Sequence, residues 1–342
     1  MDLWLRHAGQ LSTVGLIRHI FRAQTDVAVA GFVVRNPRGW LHIIVIGAPN
    51  CVSFGSVAAA PLDPVHCTAK TLCYDSRPMS ALRFTHFTDP HLYGSETESL
   101  RGVATLPALT ATLAHAQVRD WPPDAVLVTG DLVQDDPAGY VHFRRIFGSL
   151  GMPVLCLPGN HDEPKAMQRA LQGGPFVVGG VADMGAWRIV LLDSTIAGSA
   201  SGRLSSQILV ELDEALLSAG DRHCLVCLHH HPVPLGSRWL DEVALENPAE
   251  FFQVIDRHPN VRAILWGHVH QQYDGVRNGV RLLATPATCA QFLPNAAEFA
   301  VDRRPPGYRT LNLLPDGKLL TEVVWVDKFA AGSASRSVCS AA

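Results

Sequence analysis

The sequence predicts an α/β sandwich, on three observations. Short apolar runs of strand length recur along the chain. Stretches with apolar residues at helical spacing lie between several of them, which is the pattern of layered helices and strands. Five of the runs end in Asp, Asn or His, and sites in such folds form beyond the carboxyl ends of strands. With 342 residues, 47% of them apolar, the chain is long enough for one large domain or two modest ones around a sizeable core.

The first of the five runs, LRFTHFTDPH, starts at Leu82 and ends at Asp89 and His91. A helical pattern over Leu100–Gln117 follows. DAVLVTGD ends at Asp131, and Asp136-Pro137 then caps and opens a helix to near Leu150. PVLCLPGNHD ends at Asn160, His161 and Asp162, and Ser205–Ala219 reads as the next helix. CLVCLHHH ends at His229, His230 and His231. After a helical stretch over Asn247–His258, VRAILWGHVH ends at His268 and His270. Asn278-Gly279 and Asp316-Gly317 are turn dipeptides between strand-like runs, so two hairpins are expected to extend a sheet and cover the flank of the site.

Residues 1–78 show no sustained helical or strand period and contribute nothing to this pattern. Met79 stands just before the first core strand. The expectation is an N-terminal extension over 1–78 that is poorly ordered or not part of the natural protein. A single domain then covers 79–327, and a disordered tail rich in Ala, Ser and Gly covers 328–342.

Composition excludes several classes. A net charge of −3 leaves no broad basic field for nucleic acid or an anionic membrane surface. No apolar run approaches the ~18 residues of a spanning helix. The N-terminus lacks the basic-then-apolar order of a signal peptide, so the default is a soluble cytoplasmic protein. Cys224 and Cys227 form a C-x-x-C, but inside an apolar strand they fall on opposite faces and have no second pair to complete a metal site.

The constellation is D-x-H, G-D, G-N-H-D, a strand-end histidine and G-H-x-H. Each piece alone is weak, since an Asp after an apolar run is more often a cap or turn residue. Five in order at strand ends are not. Carboxylate, imidazole and amide oxygen together suit iron, manganese or zinc. In an extended segment residues i and i+2 face one side, so Asp89 and His91 are expected to reach one ion, with a similar relation for His268 and His270. Asp131, with two carboxylate oxygens, is suited to bridging two ions. Gly130, Gly159 and Gly267 let the backbone come close.

On FTDPHL, VTGDLVQD, LPGNHD, LLDST, LHHHPVPLGSRWLD, GHVHQ and LLATPATCAQF, the chain resembles the calcineurin-like metallophosphoesterases from about Leu82 to about Val326. Within them it is similar to the bacterial class III 3′,5′-cyclic-AMP phosphodiesterases. The resemblance implies a sandwich of two mixed β-sheets flanked by helices. It implies two divalent ions, iron or manganese first and zinc as the alternative. Asp89, His91 and His270 would take one ion, Asn160, His229 and His268 the other, and Asp131 would bridge. It also implies that His91, Asp131, Asn160, His161 and His270 face the substrate phosphate, with His161 as the catalytic imidazole and Asp162 orienting it. His230 and His231 are expected to be supporting. The partner implied is a small cyclic nucleotide, and a small homo-oligomer is compatible with the resemblance.

Three rivals stand beside that reading. A broad-specificity or glycerophosphodiester phosphodiesterase would share the metal site. A non-catalytic scaffold would be expected to have lost ligands, and all seven positions keep ligating types. A phosphoprotein phosphatase would carry G-D-x-x-D-R-G where this chain has GDLVQDD. Arg238 and Trp239 read equally well as walls of a nucleotide pocket or as a packed loop.

Overall fold

The computed structural model describes residues 80–327 in full and, before them, the backbone of four strands. The other residues of 1–79, and the tail expected over 328–342, lie outside the described residues. The chain divides into two compact units, Met1–Pro78 and Met79–Ala342. In the first, β1 (Ala30–Arg35), β2 (Leu41–Ile46), β3 (Cys51–Val57) and β4 (Lys70–Cys73) form an antiparallel sheet in that order. A run such as LHIIVI is apolar except for His42, so no alternation betrays it. Its strand character rests on β-branched residues.

The second unit begins with β5 (Leu82–Phe87), the two-residue pair β6 (Ser99–Leu100) and β7 (Val103–Ala104), and α1 (Thr105–Arg119). Then come β8 (Ala125–Thr129), α2 (Tyr140–Phe147), β9 (Val154–Leu157), α3 (Pro164–Ala170), β10 (Phe176–Val178), β11 (Gly180–Met184) and β12 (Trp187–Leu191). The chain continues through α4 (Ser206–Leu217), β13 (His223–Leu228), α5 (Arg238–Asp241), α6 (Pro248–Ile255), β14 (Val261–Trp266), β15 (Tyr273–Arg277) and β16 (Val280–Ala284). The pair β17 (Gln291–Phe292) and β18 (Val301–Asp302) precedes β19 (Gly307–Leu313) and β20 (Leu319–Trp325).

These strands form two six-stranded mixed sheets, ordered β10-β9-β8-β5-β19-β20 and β11-β12-β13-β14-β16-β15. In the first, β5, β8, β9 and β10 run parallel, and β19 and β20 are antiparallel. In the second, β12, β13, β14 and β16 run parallel between antiparallel edges. Alternate residues of both sheets, among them Phe84, Leu127, Leu155, Ile189, Leu225 and Leu265, fill the space between them. The opposite faces are covered by α1, α2 and α3 on one side and by α4, α5 and α6 on the other. Strands buried on both faces read as continuous apolar runs, which is why the five runs stood out. Each fully buried Leu or Phe contributes about 1.5–3 kcal/mol. Cys224 and Cys227 pack into different cores on opposite faces of β13, as expected.

Two boundaries differ from the sequence reading. The helix expected from Leu100 starts at Thr105, because Ser99–Leu100 and Val103–Ala104 pair around Arg101 and Gly102, both at positive φ. The helix capped by Asp136, whose side chain accepts from Ala138 N–H, opens as a tight turn over Pro137–Gly139 and ends at Phe147. Both hairpins form and extend the sheets. The flank of the site is covered instead by the segment between them, where the Phe292 ring stacks on His270 with centroids 4.0 Å apart. Among the described residues no helix is long and apolar enough to cross a membrane.

Candidate metal centre

The carboxyl ends of β5, β8 and β9 in one sheet and of β13 and β14 in the other converge on one place. Asp89 and His91 follow β5, Asp131 follows β8, Asn160 follows β9, His229 follows β13, and His268 and His270 follow β14. The expected reason for D-x-H convergence does not hold. Asp89, His91, Asp131, His268 and His270 all have φ between 47° and 67°, so none continues its strand. Left-handed backbone at a non-glycine residue costs about 1–3 kcal/mol and gathers at functional sites. Backbone bonds from Asp89 N–H to Gly130 O, His91 N–H to Asp131 O and Leu92 N–H to Leu132 O hold the first two turns side by side.

Asp131 is buried, and its two oxygens do different things. Oδ1 accepts the His161 backbone N–H at 2.9 Å. Oδ2 lies 3.6 Å from His91 Nε2 and 3.3 Å from His229 Nε2. The sequence reading took Asp131 as a carboxylate suited to bridging two ions, and the imidazoles expected on different ions both face its Oδ2. Asp89 presents Oδ1 to His270 Nε2 at 3.6 Å and to His91 and His229 Nε2 at 4.0 Å. Asn160 Oδ1 lies 3.1 Å from His229 Nε2, and the His268 ring centre is 5.0 Å from that of His229.

The imidazoles are oriented from behind. His229 Nδ1 donates to Thr129 O at 2.8 Å, His270 Nδ1 to Ala290 O at 2.6 Å, and His268 Nε2 to Val243 O at 3.1 Å. Each bond fixes one nitrogen as the donor and frees the other as a lone pair facing inward, the usual arrangement around a ligating histidine. Burial works to raise both carboxyls, and the charge of the facing imidazoles overcomes it. His270 holds Asp89 below the ordinary carboxylate value, and His229 holds Asp131 well below it. Burial lowers His229 and Asp131 raises it, for a net rise to about 9. The pocket is thus built for positive charge.

His161 and Asp162 part company. The His161 side chain is about a third exposed, and its Nδ1 lies 2.9 Å both from Asp135 Oδ2, to which it donates, and from the Gln134 side-chain amide. Asp162 does not reach that ring, contrary to the expectation that it orients His161. Its carboxylate accepts from the backbone N–H groups of Leu132, Val133 and Gly159 and from the Tyr140 hydroxyl, stitching two loops to the start of α2 beneath the site. Burial, then the Asp131 charge, push Asp162 up to about 7 against those donors.

Other residues near the site resolve as follows. His230, expected to be supporting, has Nδ1 on Ser194 Oγ at 2.8 Å and a ligand atom within 4.8 Å of those of His229 and His268. His231 is buried with Nε2 3.5 Å from Asp241. Arg238 reaches out to Glu298, and Trp239 packs edge-on against Phe292 and Phe299, which favours the packed-loop reading of that segment. Cys289, missed in the sequence, lies with His91 and His270 in one cluster and donates to Asp89 O at 3.2 Å. Its only sequence signal was its place in ATPATCAQF.

The donor set fits metal on the structure's own terms. Asp89, Asp131 and His229 offer ligand atoms within 4.8 Å of one another, and so do His91, Asp131 and His161. His91 Nδ1 is buried without a partner, and its Nε2 lies 3.0 Å from His270 Nε2, which brings two imidazole nitrogens together beside the buried carboxylates. A Cβ on Gly159 would collide with Asp131 Oδ1, so the glycine is what admits the backbone here.

Fold and site together define a metal-dependent phosphoesterase. The profile for calcineurin-like phosphoesterase matches residues 82–272, and the chain belongs to that family. It is 41% identical over 249 residues to the 3′,5′-cyclic adenosine monophosphate phosphodiesterase CpdA of Pseudomonas aeruginosa, covering 72% of this chain and 91% of that one. It is 42% identical over 244 residues to CpdA of Escherichia coli K12, covering 71% and 89%. A 3′,5′-cyclic-nucleotide phosphodiesterase of Nostoc is 35% identical over 243 residues, covering 71% and 91%. Among solved structures, a dimetal phosphatase from Danio rerio aligns with TM-score 0.51 at 13% identity, over 73% of this chain and 97% of that one, which speaks for the fold alone.

Proposed function

We propose that this protein hydrolyses 3′,5′-cyclic AMP to 5′-AMP with two divalent ions, iron or manganese. The observation that carries the reading is the meeting of His91 and His229, from different sheets, at the single oxygen Asp131 Oδ2. Asp89, His91 and His270 would hold one ion, Asn160, His229 and His268 the other, with Asp131 shared. Bound there, a metal pair supplies Lewis acidity toward the phosphoryl oxygens and lowers the pKa of water, so that hydroxide is available near neutral pH.

The chain's own residues supply the rest. His161, its Nδ1–H directed to Asp135, leaves Nε2 to hold a proton for the departing 3′ oxygen or to stabilise charge on it. His91, Asp131, Asn160 and His270 line the place where the phosphate would lie. Support for the cyclic-nucleotide class comes from relatives of that printed activity at 35–42% identity along most of their length.

The test compares turnover of 3′,5′-cyclic AMP, 2′,3′-cyclic AMP and glycerophosphoethanolamine by manganese-loaded enzyme. The first should lead, activity should vanish on chelation, and manganese or iron should restore it. A preference for glycerophosphoethanolamine would make this a glycerophosphodiesterase. Full turnover in excess chelator after verified metal removal would overturn the metal mechanism.

A further inference from the structure

Behind Asp89 runs a buried row of polar side chains. Arg309, on β19, is 1% exposed and forms no salt bridge among the described residues. Its Nη groups donate to Tyr273 O, Ala284 O and Thr321 Oγ1, and its Nε donates to Thr285 Oγ1 at 3.1 Å. Thr285 Oγ1 is 2.7 Å from His86 Nδ1, and His86 Nε2 is 2.8 Å from Thr129 Oγ1. Thr129 Oγ1 is 2.9 Å from Thr88 Oγ1, which is 2.7 Å from Asp89 Oδ2.

The direction of every bond is determined. A guanidinium only donates, and an ionised carboxylate only accepts. Thr285 Oγ1 receives from Arg309, which leaves its own hydrogen for His86 Nδ1 once that ring gives its single hydrogen to Thr129. Burial, then the Arg309 charge, hold His86 down to about 3, so the ring is neutral and its one hydrogen sits on Nε2. That hydrogen goes to Thr129, whose hydroxyl goes to Thr88, whose hydroxyl goes to Asp89. The row starts on β19, crosses to the end of β16 in the other sheet, and returns through β5 and β8 to the turn that carries Asp89.

We propose that His86 is a positioning residue for Asp89, the central link of a one-way hydrogen-bond chain from Arg309 that orients the Asp89 carboxylate and strengthens its hold on metal. The proposal rests on the reading of Asp89 as a ligand. The chain engages Oδ2, the His268 backbone N–H is shared between Oδ2 and Oδ1, and Oδ1 is the oxygen turned toward His270 and His91. Each donor upstream polarises the next, so a buried cation acts on the carboxylate across four side chains. Outer partners of this kind typically change metal affinity or activity about 10–100-fold.

The experiment measures Mn²⁺ affinity by chelator competition on the full chain, beside the melting temperature of the metal-free form. His86→Leu and Thr88→Val should each weaken Mn²⁺ binding about 10–100-fold. His86→Gln should restore most of it, since its amide offers one acceptor and one donor in the same place. A side chain that only pins the sheets together would lower the melting temperature and leave the affinity of the folded fraction unchanged. A folded His86→Leu with wild-type affinity overturns the proposal. So does a loss confined to Thr88→Val, which would end the chain at Thr88. Should His86→Leu not fold, Thr285→Val cuts the row upstream with a side chain of similar shape, and unchanged affinity there overturns it equally. Asp89→Asn is the control for the underlying reading. If that variant binds Mn²⁺ as the wild type does, Asp89 is not a ligand and the metal assignment fails, not the chain.

Discussion

The imidazole of His161 is held by Asp135, four residues past Asp131, and not by its sequence neighbour Asp162. The two carboxylates therefore have separable roles. Asp135→Asn should lower kcat about tenfold, less than the about 10²–10⁴-fold ascribed to a general acid itself, while metal content and melting temperature stay as they are. Asp162→Ala removes the acceptor for three backbone donors and the Tyr140 hydroxyl, and should cost about 3 kcal/mol or more in stability. Denaturation and steady-state kinetics on the two variants decide it. Equal effects on kcat with no difference in stability would reverse these roles.

His161→Ala should keep both metals and lose about 10²–10⁴-fold in kcat. The ring sits on the open side of the cluster, with its Nδ1 used by Asp135. Metal content measured beside kcat is the check. Loss of one ion per chain would make His161 a ligand.

Asp131→Ala should abolish turnover and weaken both metal positions together, because a single oxygen faces imidazoles belonging to each. Metal titration of the variant should show no site of wild-type affinity. One intact high-affinity site would mean that the carboxylate serves one ion only.

The strands and the residues at their ends were legible because burial on both faces gives unbroken apolar runs with sharp polar ends. What closes the site was not. Nothing in the letters D-P-H or G-H-V-H says that Asp89, His91, His268 and His270 leave their strands in left-handed turns, so strand alternation was invoked for a convergence it does not produce. Asp135 lay hidden inside GDLVQDD because its partner comes from a different loop. The edge strand GVADM has half-exposed residues and no period to read. His86 read as one more residue of a core strand. Its polar partners come from Thr129 and Thr285, and only the packed sandwich brings them within reach.

Acid stability offers a prediction on that same histidine. His86 titrates at about 3 in the fold against an ordinary value of 6.5, because burial opposes its charged form. Between those values the unfolded chain binds a proton that the folded chain does not. The contribution is full above 6.5 and is lost as pH falls toward 3. At about 1.4 kcal/mol per pH unit, metal-free wild type should lose about 2 kcal/mol more than His86→Gln between pH 6.5 and 5. Denaturant titrations of both proteins across that range should show the wild-type stability falling more steeply. Parallel curves would mean that His86 is protonated in the fold.

The chain started at Met79 should keep the kcat/KM and metal content of the full chain. Every candidate ligand lies between Asp89 and His270, the family match spans residues 82–272, and the division between the two compact units falls between Pro78 and Met79. The first strand of the second unit, β5, is paired on both sides by strands of that unit, β8 and β19, so its ladder does not depend on residues 1–78. A sheet whose ladder bonds are internal to its unit keeps that pairing when another unit is removed. The melting temperature of the shortened chain should therefore match the main transition of the full one. Two results would show that residues 1–78 take part in the working enzyme. One is a shortened chain that is insoluble when freshly purified. The other is a shortened chain that binds both metals yet loses most of its turnover.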